Sequence, residues 1–193
     1  MCHSKLVFPF MHTFDQSWLP GAHRCPSPNC DDRPADSVVD LLVIHNISLP
    51  PAQFGESWIE DFFLNKLDPS QHPYFREIQH LKVSAHFLIK RDGEILQFVP
   101  LDKRAWHAGK SSFQNRDCCN DYSVGIELEG TDNIPYTDAQ YQNLAELSKA
   151  LLEIFPAMTK NRITGHEHIA PDRKTDPGPA FDWPRYLSLL DAH

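Results

Sequence analysis

The run Leu41-Leu42-Val43-Ile44, preceded by Val38-Val39, is the feature that most limits what this chain can fold into. Consecutive aliphatic side chains with no polar interruption describe a strand buried on both faces, and such a strand needs a layer on each side. It ends at His45-Asn46, and Pro50-Pro51 closes off further regular structure. Ser57-x-x-Glu60 has the form of a capping box and opens a short helix burying Ile59, Phe62 and Phe63; a second short helix begins at Pro73. Asp92-Gly93 lies between apolar segments 83–90 and 94–99, the signal of a hairpin. Residues 123–129 alternate, with Val124, Ile126 and Leu128 on one face and Glu127 and Glu129 on the other. Thr137-x-x-Gln140 starts a long amphipathic helix with Tyr141, Leu144, Leu147, Leu151 and Ile154 in register, ended by Pro156. Residues 163–169 read as a last strand, and Asp182 as the cap of a terminal helix carrying Tyr186, Leu187 and Leu190.

These elements predict a single α/β domain over residues 38–193, a central mixed β-sheet flanked by helices. Residues 1–37, rich in proline, cysteine and polar side chains, read as an irregular N-terminal arm. A 193-residue chain buries roughly 70% of its unfolded surface, so no disulfide framework is required. The five cysteines are an odd set without paired C-x2-C spacing, and they read as reduced thiols rather than a four-cysteine zinc site. Residues 5–11 only faintly resemble a signal peptide, being short, broken by Pro9 and without a cleavage pattern; Met11 is an alternative start. No apolar run spans a bilayer. The expected location is the cytoplasm, without a membrane partner. A net charge of −8 argues against nucleic acid as a partner, and no unassigned apolar face demands a second copy, so the expectation is a monomer.

Of the eleven histidines, His45 stands out because it follows the buried strand where α/β folds place ligands. A second cluster is Thr164-Gly165-His166-Glu167-His168, followed by Arg173-Lys174-Thr175-Asp176-Pro177. On a strand, His166 and His168 would point the same way and share a metal; alternatively one of them ligates with Asp176. Two histidines and a carboxylate leave a tetrahedral metal one open position, as in catalytic zinc sites. Glu127 projects from an apolar strand, where partial burial would raise its pKa and suit it to general-base work; Glu129, nearer the strand end, is expected to be solvated. Lys174 is placed to stabilise an oxyanion. Asn46 is placed to orient a neighbouring group. Trp106-His107-Ala108-Gly109 offers an aromatic in an open loop, suited to stacking on a sugar ring, and His86 faces either the same pocket or the core.

Taken together, these segments resemble the zinc-dependent N-acetylmuramoyl-L-alanine amidases of the peptidoglycan-recognition and phage-lysozyme group, in particular the cytosolic type acting on 1,6-anhydro-N-acetylmuramoyl-L-alanine. The residues carrying the resemblance are His45-Asn46-Ile47-Ser48-Leu49-Pro50-Pro51, Asp68-Pro69 with His72-Pro73-Tyr74-Phe75, and Val83-Ser84-Ala85-His86. It continues through residues 102–109, Gly125-Ile126-Glu127-Leu128-Glu129-Gly130 and residues 173–179, and runs from about residue 16 to about 186. The resemblance implies one zinc ion held by His45, His166 and Asp176, with His168 a neighbour, Glu127 as the base and Lys174 as the transition-state stabiliser. The implied substrate is an anhydro-muropeptide, cut at the amide between the lactyl group and L-alanine in cell-wall recycling, a step that in such bacteria also controls β-lactamase induction.

Where such amidases carry arginines for peptide carboxylates, this chain has Lys82 and Cys118. Lysine keeps the charge without the bidentate fork, and Arg116 is close enough in sequence to replace what Cys118 lacks. Asn46, Lys82, Trp106, His107 and Arg116 are therefore the expected substrate contacts. Lys82, Lys90, Arg91, Lys103, Arg104, Lys110, Arg116, Arg173 and Lys174 would offset the acidic net charge locally, if they converge. The rival readings are a binding module of the same fold, a periplasmic amidase and a structural zinc protein. Retention of Glu127 and Lys174 beside a full ligand set favours the enzyme.

Overall fold

A computed structural model describes residues 17–192. In chain order the elements are β1 (His23–Arg24), β2 (Cys30–Asp32), β3 (Leu41–Ile47), α1 (Trp58–Phe63), α2 (Pro73–Ile78), β4 (Phe87–Ile89) and β5 (Ile95–Gln97). They continue with β6 (Lys103–Ala105), β7 (Ser112–Phe113), β8 (Arg116–Asp117), β9 (Ser123–Glu129), α3 (Asp138–Ile154), β10 (Ile163–Gly165), α4 (His166–Ile169) and α5 (Trp183–Asp191). The main sheet has the order β1-β5-β4-β9-β3-β10 and is mixed: β4 and β5 are antiparallel, the other pairs parallel. Two small antiparallel pairs, β2 with β6 and β7 with β8, stand apart from it.

The apolar run lies at the centre, and Leu41 to Ile44 are fully buried. Alternation divides β3 and β9 between two layers. On one face Leu42, Ile44, Val124, Ile126 and Leu128 meet Tyr141, Leu144, Leu147 and Leu151 of α3 and Tyr186 and Leu190 of α5. Burying each such aliphatic side chain contributes about 1.5–3 kcal/mol. On the other face, α1 and α2 bring Ile59, Phe62, Phe63, Phe75 and Ile78 over Leu88, Leu96 and Phe98. Leu41 and Val43 pack instead under Ala108, Cys119, Tyr122 and Ile169.

Local signals explain most boundaries. The α3 capping box forms in full: Thr137 Oγ1 accepts from the Gln140 N–H, and Gln140 Oε1 accepts from the Thr137 N–H, both at 3.1 Å. Asp182 caps α5 by accepting from the Arg185 N–H at 3.0 Å. In the β4–β5 hairpin Gly93 takes φ +95° and Asp92 Oδ1 accepts from the Glu94 N–H.

Several expectations are corrected. β3 starts after Val38-Val39 and runs on to Ile47, so His45 and Asn46 are inside the strand rather than beyond it. Ser57 starts α1 without a side-chain cap, its hydroxyl lying 3.4 Å from Asp61 Oδ2 instead. The expected strand over 163–169 stops at Gly165, and His166–Ile169 is a helical turn closed by Ala170 N–H on His166 O. Residues 17–37 are less irregular than expected, adding β1 to the sheet edge and β2 to β6; residues 1–16 lie outside the described residues. Among the described residues, no helix is long and apolar enough to cross a membrane.

Candidate metal and catalytic site

Three adjacent parallel strands bring the site together. Register pairs His45 of β3 with Glu127 of β9, and Ile44 with Gly165 of β10. His45 and Glu127 therefore stand side by side on one face, and His166, the residue after β10, enters from the next strand. The loop after α4 returns Asp176, fixed where its carbonyl accepts the Glu167 N–H at 2.9 Å. Nδ1 of His45 lies 2.9 Å from Nδ1 of His166, and each lies 3.0 Å from Oδ2 of Asp176. Among the described residues, this is the one cluster of histidine, cysteine or carboxylate groups with metal-binding spacing. His168 points away, exposed, against the Trp183 ring, because the helical turn sends it to the opposite side from His166. Cys25, Cys30, Cys118 and Cys119 are free thiols that form no such cluster.

The donor set fits a cation. His166 Nε2 lies 3.1 Å from the Ala108 carbonyl oxygen. A carbonyl only accepts, so Nε2 carries a proton, and the neutral ring that a metal requires then presents a lone pair at Nδ1. That lone pair faces a carboxylate oxygen, a second acceptor, with no hydrogen between them. A positive ion resolves this contact. Burial pushes the His45 ring down to about 4, against the opposing pull of Asp176, so the imidazole is neutral and able to ligate. His45, His166 and Asp176 offer the two imidazoles and one carboxylate that suit zinc.

Glu127 has one carboxylate oxygen buried without a partner. Burial raises its carboxyl well above the usual carboxylate range, Asp176 adds to the rise, and Lys174 partly offsets it. A cavity of about 370 Å³ opens over these groups. Glu127, His166, Lys174 and Asp176 line one part, while Leu49, Phe62, Tyr74, Leu81 and Val83 make an apolar wall. Trp106 also lines it, with its indole N–H held by Asp31 Oδ1 at 3.0 Å.

The other expected contacts separate. Asn46 lines the cavity, but its amide N–H groups are donated to Asp132 Oδ1 (2.8 Å) and the Pro177 carbonyl (3.1 Å), tying down the Asp176 loop. His107 also lines the cavity, yet both ring nitrogens are engaged: Nδ1 lies 2.9 Å from His45 Nε2, and Nε2 lies 3.0 Å from Ser123 Oγ. Neither nitrogen remains for substrate. Lys82 is exposed between the lining residues Leu81 and Val83 without lining the cavity itself. Arg116 does not line it either; its guanidinium pairs with Asp40 at 2.7 Å and stacks on Tyr122, a stronger local offer than open solvent. His86 belongs to the core, its Nδ1 accepting from the Gly125 N–H. Glu129, expected to be solvated, is buried and accepts from the N–H groups of Gly55 (2.6 Å) and Arg91 (3.0 Å). Of the nine basic residues expected nearby, Lys174 alone lines the cavity. Sequence reasoning missed Ser123, although period-two alternation puts it on the same face as Glu127, and it missed Asn120, whose role depends on a loop fold.

The match to known proteins is extensive. The family model for N-acetylmuramoyl-L-alanine amidase matches residues 35–179, which hold every residue of the site. The 1,6-anhydro-N-acetylmuramyl-L-alanine amidase AmpD of Escherichia coli (strain K12) is 61% identical over 176 residues, 91% of this chain and 96% of that protein. A crystal structure of a selenomethionine AmpD derivative superposes with a TM-score of 0.89 at 59% identity, covering 93% of this chain and 99% of that one. The structure of AmpDh3 from Pseudomonas aeruginosa in complex with anhydromuramic pentapeptide superposes with a TM-score of 0.57 at 29% identity, covering 78% of this chain and 59% of that one. With the fold, the site-bearing segment and nearly the full length all matched, this chain belongs to the N-acetylmuramoyl-L-alanine amidase family, as one of its AmpD-type members.

Proposed function

We propose that this protein is a zinc-dependent amidase that cuts anhydro-muropeptides between the lactyl group of 1,6-anhydro-N-acetylmuramic acid and L-alanine of the stem peptide. The observation that carries this reading is a carboxylate oxygen of Glu127, buried and unpartnered, beside His45 in the sheet and in one cavity with His166, Asp176 and Lys174. The names of relatives supply the substrate class: the E. coli protein is named for the anhydro-muramyl amide, and the Pseudomonas structure holds an anhydromuramic pentapeptide.

His45, His166 and Asp176 would hold the zinc ion, which when bound acidifies water and polarises a carbonyl. Glu127 takes the proton of the attacking water, a task its raised pKa suits because a more basic carboxylate accepts that proton more readily. It then delivers that proton to the alanine nitrogen, which leaves only once protonated. Lys174 faces the carbonyl oxygen as negative charge develops there. Trp106 and the apolar wall receive the sugar and exclude water. No covalent intermediate is needed, so Ser48, Ser84 and Cys118 have no nucleophilic role. In the cell we place this activity in the cytoplasm, in a monomer without nucleic-acid or membrane partners, where consuming the anhydro-muropeptide would limit β-lactamase induction.

The test is mass spectrometry of an anhydro-muropeptide incubated with the purified protein before and after zinc removal and restoration. Free stem peptide is expected only with zinc. Glu127→Gln should retain zinc stoichiometry while kcat falls by about 10²–10⁴. Intact substrate in the presence of bound zinc would identify a binding module instead.

A further inference from the structure

The ligand histidines are useful to a metal only if both turn a lone pair, not an N–H, toward the centre. For His166 the Ala108 carbonyl decides this. For His45 the deciding group lies three hydrogen bonds away. The Ser123 hydroxyl has one hydrogen and lies 2.6 Å from the Cys119 carbonyl oxygen, which can only accept. Ser123 therefore donates there and must accept at its 3.0 Å contact with His107 Nε2. His107 carries its proton on Nε2, so its Nδ1 is a lone pair. That lone pair, 2.9 Å from His45 Nε2, accepts a hydrogen bond from the His45 Nε2–H and leaves His45 Nδ1 bare toward His166 and Asp176.

We infer that His107 is a positioning residue that locks His45 in its Nε2–H tautomer through a relay anchored on Ser123 and the Cys119 carbonyl. The inference rests on the zinc reading for its purpose, though not for its geometry. The arrangement is economical: the neighbouring residues His107 and Ala108 set the tautomers of the two ligand histidines. Both of their backbone N–H groups are pinned by one side-chain oxygen, Asn120 Oδ1, at 3.1 and 2.8 Å. The His107 ring itself rests on Gly125, where a Cβ would come within 2.5 Å of Cγ. Partners of this kind set ligand orientation and basicity, and losing one costs about 10–100-fold in metal affinity.

The test uses the full-length protein without metal and reads imidazole tautomers by long-range proton–nitrogen NMR; zinc affinity is then measured by chelator competition. The wild-type protein should show His45 as a single Nε2–H form. His107→Phe, which keeps the ring and removes the acceptor, should admit the Nδ1–H form of His45 and weaken zinc about 10–100-fold. His107→Asn, whose Oδ1 can occupy the Nδ1 position, should return affinity to within a few-fold of wild type, a rescue that mere cavity filling would not produce. Ser123→Ala, a small change, should let a second His45 form appear. A wild-type His45 protonated on Nδ1, or a folded His107→Phe that binds zinc as tightly as wild type, would overturn the assignment. Should His107→Phe not fold, an unchanged single tautomer in Ser123→Ala overturns it equally. Failure of wild type to bind zinc, with the tautomer as described, would sink the metal reading and leave the relay standing.

Discussion

Gly125 shows how tightly one residue can be held by chemistry next door. Glycine weakens a strand interior, yet here its backbone N–H donates to His86 Nδ1, its carbonyl accepts from the His86 N–H, and its bare face carries the His107 ring. An alanine Cβ would lie 2.5–2.8 Å from three ring atoms. The ring cannot retreat without giving up both of its hydrogen bonds. Gly125→Ala should therefore cost about 1–3 kcal/mol of stability, the usual scale for overpacking. Chemical denaturation of the double variant Gly125→Ala, His107→Ala distinguishes causes: removing the ring should restore part of the stability, a non-additive result, while zinc affinity stays low. Additive losses would mean that the two residues do not compete for the same space.

At the scale of elements, the strand-to-helix junction at Gly165 does the most delicate work. A Cβ at Gly165 would stand 2.8 Å from Cδ of Pro177, the neighbour of Asp176. Gly165→Ala is thus expected to displace the Asp176 loop and weaken zinc by at least about 10-fold, since the proposed ligand Asp176 moves with it. Thr137→Ala is the contrasting control. It removes the α3 cap on the far side of the sheet and should cost about 1 kcal/mol of stability with zinc affinity unchanged. The same comparison explains what was legible beforehand. The α3 and α5 caps and the 123–129 alternation are written within a few residues of the element they define, and they were readable. The β10–α4 break was not, because the Glu167 N–H to Asp176 carbonyl bond that fixes the turn spans nine residues and depends on the loop's return. Glu129 was misread for a related reason: Gly55 and Arg91 reach its carboxylate only after two distant loops fold over the strand end. His45 and Glu127 could each be suspected alone, but their adjacency is a matter of β3–β9 register, a long-range quantity.

For the molecule as a whole, the question is how a chain of net charge −8 receives a substrate bearing stem-peptide carboxylates. The basic residues expected near the site are mostly spent internally: Lys90 pairs with Glu60, Lys103 with Asp32, Arg104 with Asp31 and Asp121, and Arg116 with Asp40. Arg173 donates to the Ala108 and Lys110 carbonyls. Lys174 is left as the lysine or arginine that lines the cavity. Its attraction is short-ranged, whereas the net charge acts over the whole approach. Salt shortens the reach of that field from ~30 Å at 0.01 M to ~8 Å at 0.15 M. Screening should therefore relieve repulsion more than it weakens the Lys174 contact, which operates within a few ångströms, well inside the screening length. The expected outcome is a kcat/KM for anionic anhydro-muropeptide that rises severalfold between these ionic strengths. A substrate with its stem carboxylates amidated should show a flat profile. A kcat/KM that falls with salt would mean that the cavity's own field dominates the encounter, and in that case Lys174→Ala should abolish the salt dependence.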